Sequence, residues 1–108
     1  MGKRTASSED DVLRKTEATI TANGQATPWQ EFSGRFNLHL AGTFVATVIL
    51  ERSFDGGATA APCTRLGAAF SFTGPASEAL PDAAEIGVLY RLRCVAFTSG
   101  SILARLSQ

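Results

Sequence analysis

The sequence predicts an all-β protein, a small antiparallel β-sandwich (Ig-like or jelly-roll-like) of about eight strands with an extended N-terminal arm. Three observations carry that expectation. Apolar residues recur at every second position, most cleanly in Arg35-Phe36-Asn37-Leu38-His39-Leu40, where Phe36, Leu38 and Leu40 share one face. Turn residues punctuate these runs at close spacing, from Asn23-Gly24 and Ser33-Gly34 through Gly56-Gly57 to Gly87 and Gly100. No stretch shows the three- and four-residue spacing of an amphipathic helix.

Residues 1–15 mix charges without periodicity and read as an arm, with the sandwich domain over 16–108. Fixing each arm residue costs about 1–2 kcal/mol of backbone entropy, so such an arm orders only on a partner, here a neighbouring copy. From Glu17 the pattern has period two, with Ala18, Ile20 and Ala22 opposed to Glu17, Thr19 and Thr21. Asn23-Gly24 then signals a hairpin to a return strand over residues 25–32, and Pro28, which cannot donate to a ladder, places that strand at an edge. After the strand around Phe36 to Leu40, residues 43–53 form what is expected to be the longest strand. It is apolar on both faces and therefore central. Weaker strands follow around 58–66 and 68–73, then a long connection through Pro75 and Pro81-Asp82.

The last stretch is read as a hairpin turning at Thr98-Ser99-Gly100, with Leu92, Cys94 and Ala96 opposite Leu106, Ala104 and Ile102. That register sets Arg93 opposite Arg105, where like charges repel, so an acidic side chain is expected to meet them. It also gathers Arg91, Arg93, Phe97, Leu103 and Arg105 on one outer face, beside Leu89 and Val95. Arginine among exposed aliphatic and aromatic groups is an interface composition. The competing reading is that the chain's own arm or the second sheet covers this face.

Composition bounds the function. A chain of 108 residues forms one domain able to bury a core without disulfide or metal. Ten basic residues balance ten acidic ones, so no long-range field draws nucleic acid or membrane to it, and near-zero charge suits an assembly component. The N-terminus lacks the apolar core of a secretory signal, so synthesis is expected in the cytoplasm, where Cys63 and Cys94 stay free, buried thiols. No cofactor or metal is expected. His39, the sole histidine, faces outward; Cys63 with His39 is the one conceivable catalytic pair, and no oxyanion loop or orienting partner accompanies it. Glu9-Asp10-Asp11 reads as solvated acids rather than a cation site.

Two further motifs have structural readings. Ser53-Phe54-Asp55-Gly56-Gly57-Ala58-Thr59 is similar to the Asp-box of sialidase-like propellers, with Ala60 where a tryptophan is expected. One copy excludes a propeller, and Asp55 capping a turn accounts for the motif. Gly87-Val88-Leu89-Tyr90 resembles the tyrosine corner of Ig-like sandwiches, whose hydroxyl ties the strand to the preceding connection.

The stretches Phe36 to Gly57 and Gly87 to Gln108 resemble small virion proteins of tailed bacteriophages. The resemblance implies a non-enzymatic structural protein, a capsid decoration or cement protein on the virion surface that stabilises the head by bridging capsid subunits. Its partners would be the major capsid protein or other virion proteins and copies of itself, as a trimer. The interface would comprise Arg91, Arg93, Phe97, Leu103 and Arg105, with Lys3 and Arg4 on the arm. The alternatives are a component of the tail or the head-to-tail connection and, in a different class, a glycan-binding module using Trp29, Tyr90 or the Asp55 turn.

Overall fold

The computed structural model describes residues 14–83 and 85–108. In chain order the strands are β1 (Lys15–Ile20), β2 (Gln30–Glu31), β3 (Gly34–Ala41), β4 (Phe44–Ser53), β5 (Ala61–Pro62), β6 (Thr64–Arg65), β7 (Ala68–Ala69), β8 (Ser71–Phe72), β9 (Ala76–Ala83), β10 (Leu89–Gly100) and β11 (Ile102–Ser107). They form two antiparallel sheets packed face to face, a β-sandwich. The first sheet has the order β1-β11-β3-β9 and the second β2-β10-β4-β5, with β8 also on β4 and a short β6-β7 ladder apart.

The alternation read from the sequence fills the space between the sheets. From the first come Ile20, Phe36, Leu38, Leu40, Ile102, Ala104 and Leu106, from the second Val48, Leu50, Tyr90, Leu92 and Cys94, all at most 5% exposed. Each large apolar side chain so placed stabilises the fold by roughly 1.5–3 kcal/mol. At one end Phe32 stacks on Phe36 (4.8 Å between centroids) and Tyr90 leans on Phe36 (4.9 Å).

The terminal hairpin is not formed. β10 pairs β4 and β11 pairs β3, in different sheets, so Arg93 does not face Arg105. The chain instead turns a corner. β3-β4 and β10-β11 form one long two-stranded ribbon whose register runs across the bend unbroken, Leu103 against Ala41 on one side and Gly100 against Phe44 on the other. Strands that switch sheets do so at bends and glycines. Here the crossings interlock: Ser101 N–H donates to Thr43 O (3.0 Å). A Cβ on Gly42 would stand 2.4 Å from Ser101 O, and one on Gly100 2.1 Å from Thr43 O. The hairpin register would have opposed two arginines. The observed pairings give each a carboxylate, Glu51 on β4 for Arg91 and Arg93 and Glu17 on β1 for Arg105.

Asn23-Gly24 also joins two sheets rather than two paired strands. β1 pairs β11, whose Ile102, Ala104 and Leu106 match Ile20, Ala18 and Thr16. The Pro28-broken segment cannot offer that alternating face, and it follows the outer edge of β10. Thr27 repairs the edge: its N–H donates to Leu92 O (2.9 Å) and its hydroxyl oxygen accepts from Leu92 N–H (3.1 Å). β4 is central as expected, but β10, with 12 residues, is the longest strand. The expected long connection contains β9, an eight-residue edge strand whose Leu80 is buried. Proline is tolerated there because one edge of β9 pairs with nothing among the described residues. Lys15, assigned to the arm, begins β1.

Candidate interaction faces

The interface residues read from the sequence do not share a face. Arg91 and Arg93 stand on the outer face of the second sheet, Leu103 and Arg105 on the outer face of the first, on opposite sides of the sandwich. Phe97 points inward. An extra residue at Val95 shifts the register between Cys94 and Ala96, which reverses the side-chain parity and packs Phe97 against the core. Lys3, Arg4 and Glu9-Asp10-Asp11 lie outside the described residues.

On the first sheet, direct cross-strand neighbours form rows. Glu17, Arg105, His39 and Ser77 make one, and Thr19, Leu103 and Ala41 the next. Arg105 Nη1 lies 3.6 Å from Glu17 Oε2, and His39 Nδ1 shares a 3.1 Å hydrogen bond with Ser77 Oγ. Leu103 is 43% exposed in the row nearest the corner. A shallow depression of about 480 Å³ lies over the rows farther from the corner, lined by Asn37, His39, Ser77, Arg105 and Ser107 among others. The pairings that Glu17, His39 and Ser77 make were not legible in the sequence, because they follow from which strands become neighbours.

On the second sheet, Glu51 is 2% exposed although its strand position faces outward. Arg91 Nε–H donates to its Oε1 (2.9 Å) and Arg93 Nε–H to its Oε2 (3.0 Å). This is the acidic side chain the arginines required. The Arg91 guanidinium lies over the Trp29 ring, 4.2 Å from its centroid. The indole also packs on the Asp55 turn, since a Cβ on Gly57 would stand 3.0 Å from Trp29 Cδ1. A tryptophan thus packs on this turn, supplied by the segment leading into β2 rather than by position 60.

The turn itself is held by hydroxyl and carboxylate groups. Ser53 Oγ–H donates to Asp55 Oδ1 (2.7 Å) and accepts from Gly57 N–H (2.9 Å), while Thr59 donates from N–H (2.9 Å) and from its hydroxyl (2.6 Å) to Asp55. The Thr59 bonds foremost hold the Asp55 pKa down, from 3.8 to about 2. A depressed folded-state pKa adds stability that is present above the unfolded value and lost as pH falls through the folded one. The wild-type melting temperature should therefore fall more steeply than that of Asp55→Asn between pH 3.8 and about 2. Parallel melting curves across that window would show that the turn does not couple to folding.

The remaining candidates separate. His39 is on the outer face of the first sheet, whereas Cys63 is buried between the sheets, its N–H donating to Leu50 O (2.8 Å). Cys63 and Cys94 are free thiols, and burial pushes Cys63 up to about 11, away from thiolate chemistry. Tyr90 lies inside, where burial raises its pKa and the nearby Arg52 side chain opposes the rise. Tyr90 and Trp29 therefore do not form a shared exposed platform. Among the described residues no three His, Cys, Asp or Glu side chains cluster as metal ligands, and no helix is long and apolar enough to cross a membrane. No family model, curated protein or solved structure matches the chain.

Proposed function

We propose that the chain is a non-enzymatic structural protein of a bacteriophage virion, a capsid decoration protein that acts as a trimer and stabilises the head by bridging capsid subunits. The observation that supports this reading best is the open outer face of the first sheet. It is four strands wide, with half-exposed Leu103 in the row next to that of Arg105, His39 and Ser77. A sheet face with one aliphatic anchor, an arginine and polar neighbours suits contact with another protein surface. Zero net charge leaves little repulsion between copies crowded on a lattice.

The test is rebinding to parent particles stripped of this protein. Leu103→Glu and Arg105→Glu should each weaken attachment about tenfold, the effect of losing about 1.4 kcal/mol of contact energy at the centre of an interface. Val45→Glu, at a site 59% exposed on the other sheet, should bind as wild type does. Unchanged binding by both first-sheet variants would refute the assignment of this face.

A further inference from the structure

The outer face of the second sheet carries an incomplete charge cluster. One carboxylate, Glu51, serves two guanidinium groups, so Arg91, Glu51 and Arg93 together have one excess positive charge. Each arginine meets Glu51 through Nε–H, the donor nearest its aliphatic stem. The other donors of each fork sit on the terminal Nη groups, and among the described residues no acceptor takes them. Glu31, in the row of Leu89 on the same face, accepts from Gly87 N–H instead (3.0 Å).

Both guanidinium groups are held in place. Glu51 is 2% exposed, and its two oxygens accept one Nε–H each, which fixes Arg91 and Arg93 side by side along β10. The Trp29 ring supports the Arg91 guanidinium from 4.2 Å. The arginine side chains are 24% and 34% exposed, hence partly desolvated yet reachable. A second carboxylate on the solvent side would accept from the Nη groups of both, alternate the charges around the cluster and bring its net charge to zero. Because the arginines are already fixed, such a contact does not have to order them, and charge-assisted bonds are about twice as strong as neutral ones.

The surroundings decide which carboxylate fits. Ile49 and Leu89 share this face with the arginines and are half-buried, so apolar surface flanks the charges. A free small anion gains nothing from that surface, whereas an acidic side chain carried on a polypeptide covers it with its neighbours. We infer that Arg91 and Arg93 receive an Asp or Glu side chain of another protein, which completes the charge cluster around Glu51. The site lies on the opposite side of the sandwich from Leu103 and Arg105, so it stands whatever the first sheet's face binds.

The dilute full chain is titrated with the blocked tripeptide Leu-Glu-Leu, with Leu-Gln-Leu and with inorganic phosphate, and the Nε–H resonances of Arg91 and Arg93 and the Trp29 indole N–H are followed. The glutamate peptide should shift all three with a dissociation constant of about 1–10 mM, the strength of one exposed charge-assisted contact. The glutamine peptide should bind about tenfold more weakly, because its bonds to the arginines are neutral. Arg93→Gln removes the excess charge and leaves Glu51 paired with Arg91, so it should bind both peptides equally and weakly while its core resonances stay in place. Equal shifts of wild type by the two peptides, or none by the glutamate peptide at about ten times the expected constant, would overturn the inference. So would equal shifts by phosphate, which would assign the pair to free anions, or shifts that grow with protein concentration alone, which would assign it to a second copy.

Discussion

Gly100→Ala should destabilise the fold by at least about 3 kcal/mol, a large share of the total stability of about 5–15 kcal/mol typical of a small domain. Two terms combine. At φ 99° an L side chain is strained, and its Cβ would stand 2.1 Å from Thr43 O and 2.6 Å from Phe44 Cα, backbone atoms that cannot swing aside. Gly24→Ala separates the terms. Gly24 has φ 86° but nothing within 4 Å of the added Cβ, so it should cost only the conformational share, about 1 kcal/mol. Denaturant midpoints of the two variants measure the difference. Equal losses would mean that the two crossings do not interlock as described.

Glu51→Ala should cost about 2–3 kcal/mol, the second largest effect expected from a single change. The loss exceeds that of an ordinary surface ion pair because Glu51 is 2% exposed and anchors two arginines at once. Its removal leaves both guanidinium groups half-buried and facing each other without a counter-charge. Arg93→Ala should cost less, about 1 kcal/mol, because Arg91 still satisfies Glu51. The triple combination should be less harmful than the sum of its parts, since the residues act as one network. Additive losses from equilibrium unfolding would contradict the shared anchor.

How much of this was legible depends on the distance over which the deciding interaction acts. The inward set Phe36, Leu38 and Leu40 follows from period-two alternation, and so does the edge position of the Pro28 segment, because both are settled within a few residues. The corner at Gly100 was read as a hairpin because a glycine between two alternating runs looks the same in either case. What decides between them is whether a distant strand, β4, offers a better partner and a carboxylate. Phe97 differs for a related reason: the bulge at Val95 leaves no mark in the local pattern, yet it reverses the side chains from Ala96 to Phe97, until a second register shift restores the parity before Ser99. β9 was missed because Ala, Ser, Glu and Pro are poor strand formers, and only its pairing with β3 makes it a strand. The candidate interface suffered most. Assigning Arg93 and Arg105 to one face required the strand pairing, and the sandwich places them on opposite sides. The need for an acidic partner was correct in kind, but Glu51 and Glu17 could be named only once the neighbouring strands were known.

The proposed adhesion surface is tested most directly by electron imaging of the parent particle at a resolution that shows strands. Copies are expected to repeat over the capsid lattice, each seated through the outer face of its first sheet with Leu103 and Arg105 at the contact. Copies confined to a single ring, or seated through any other side of the sandwich with that face open to solvent, would contradict it.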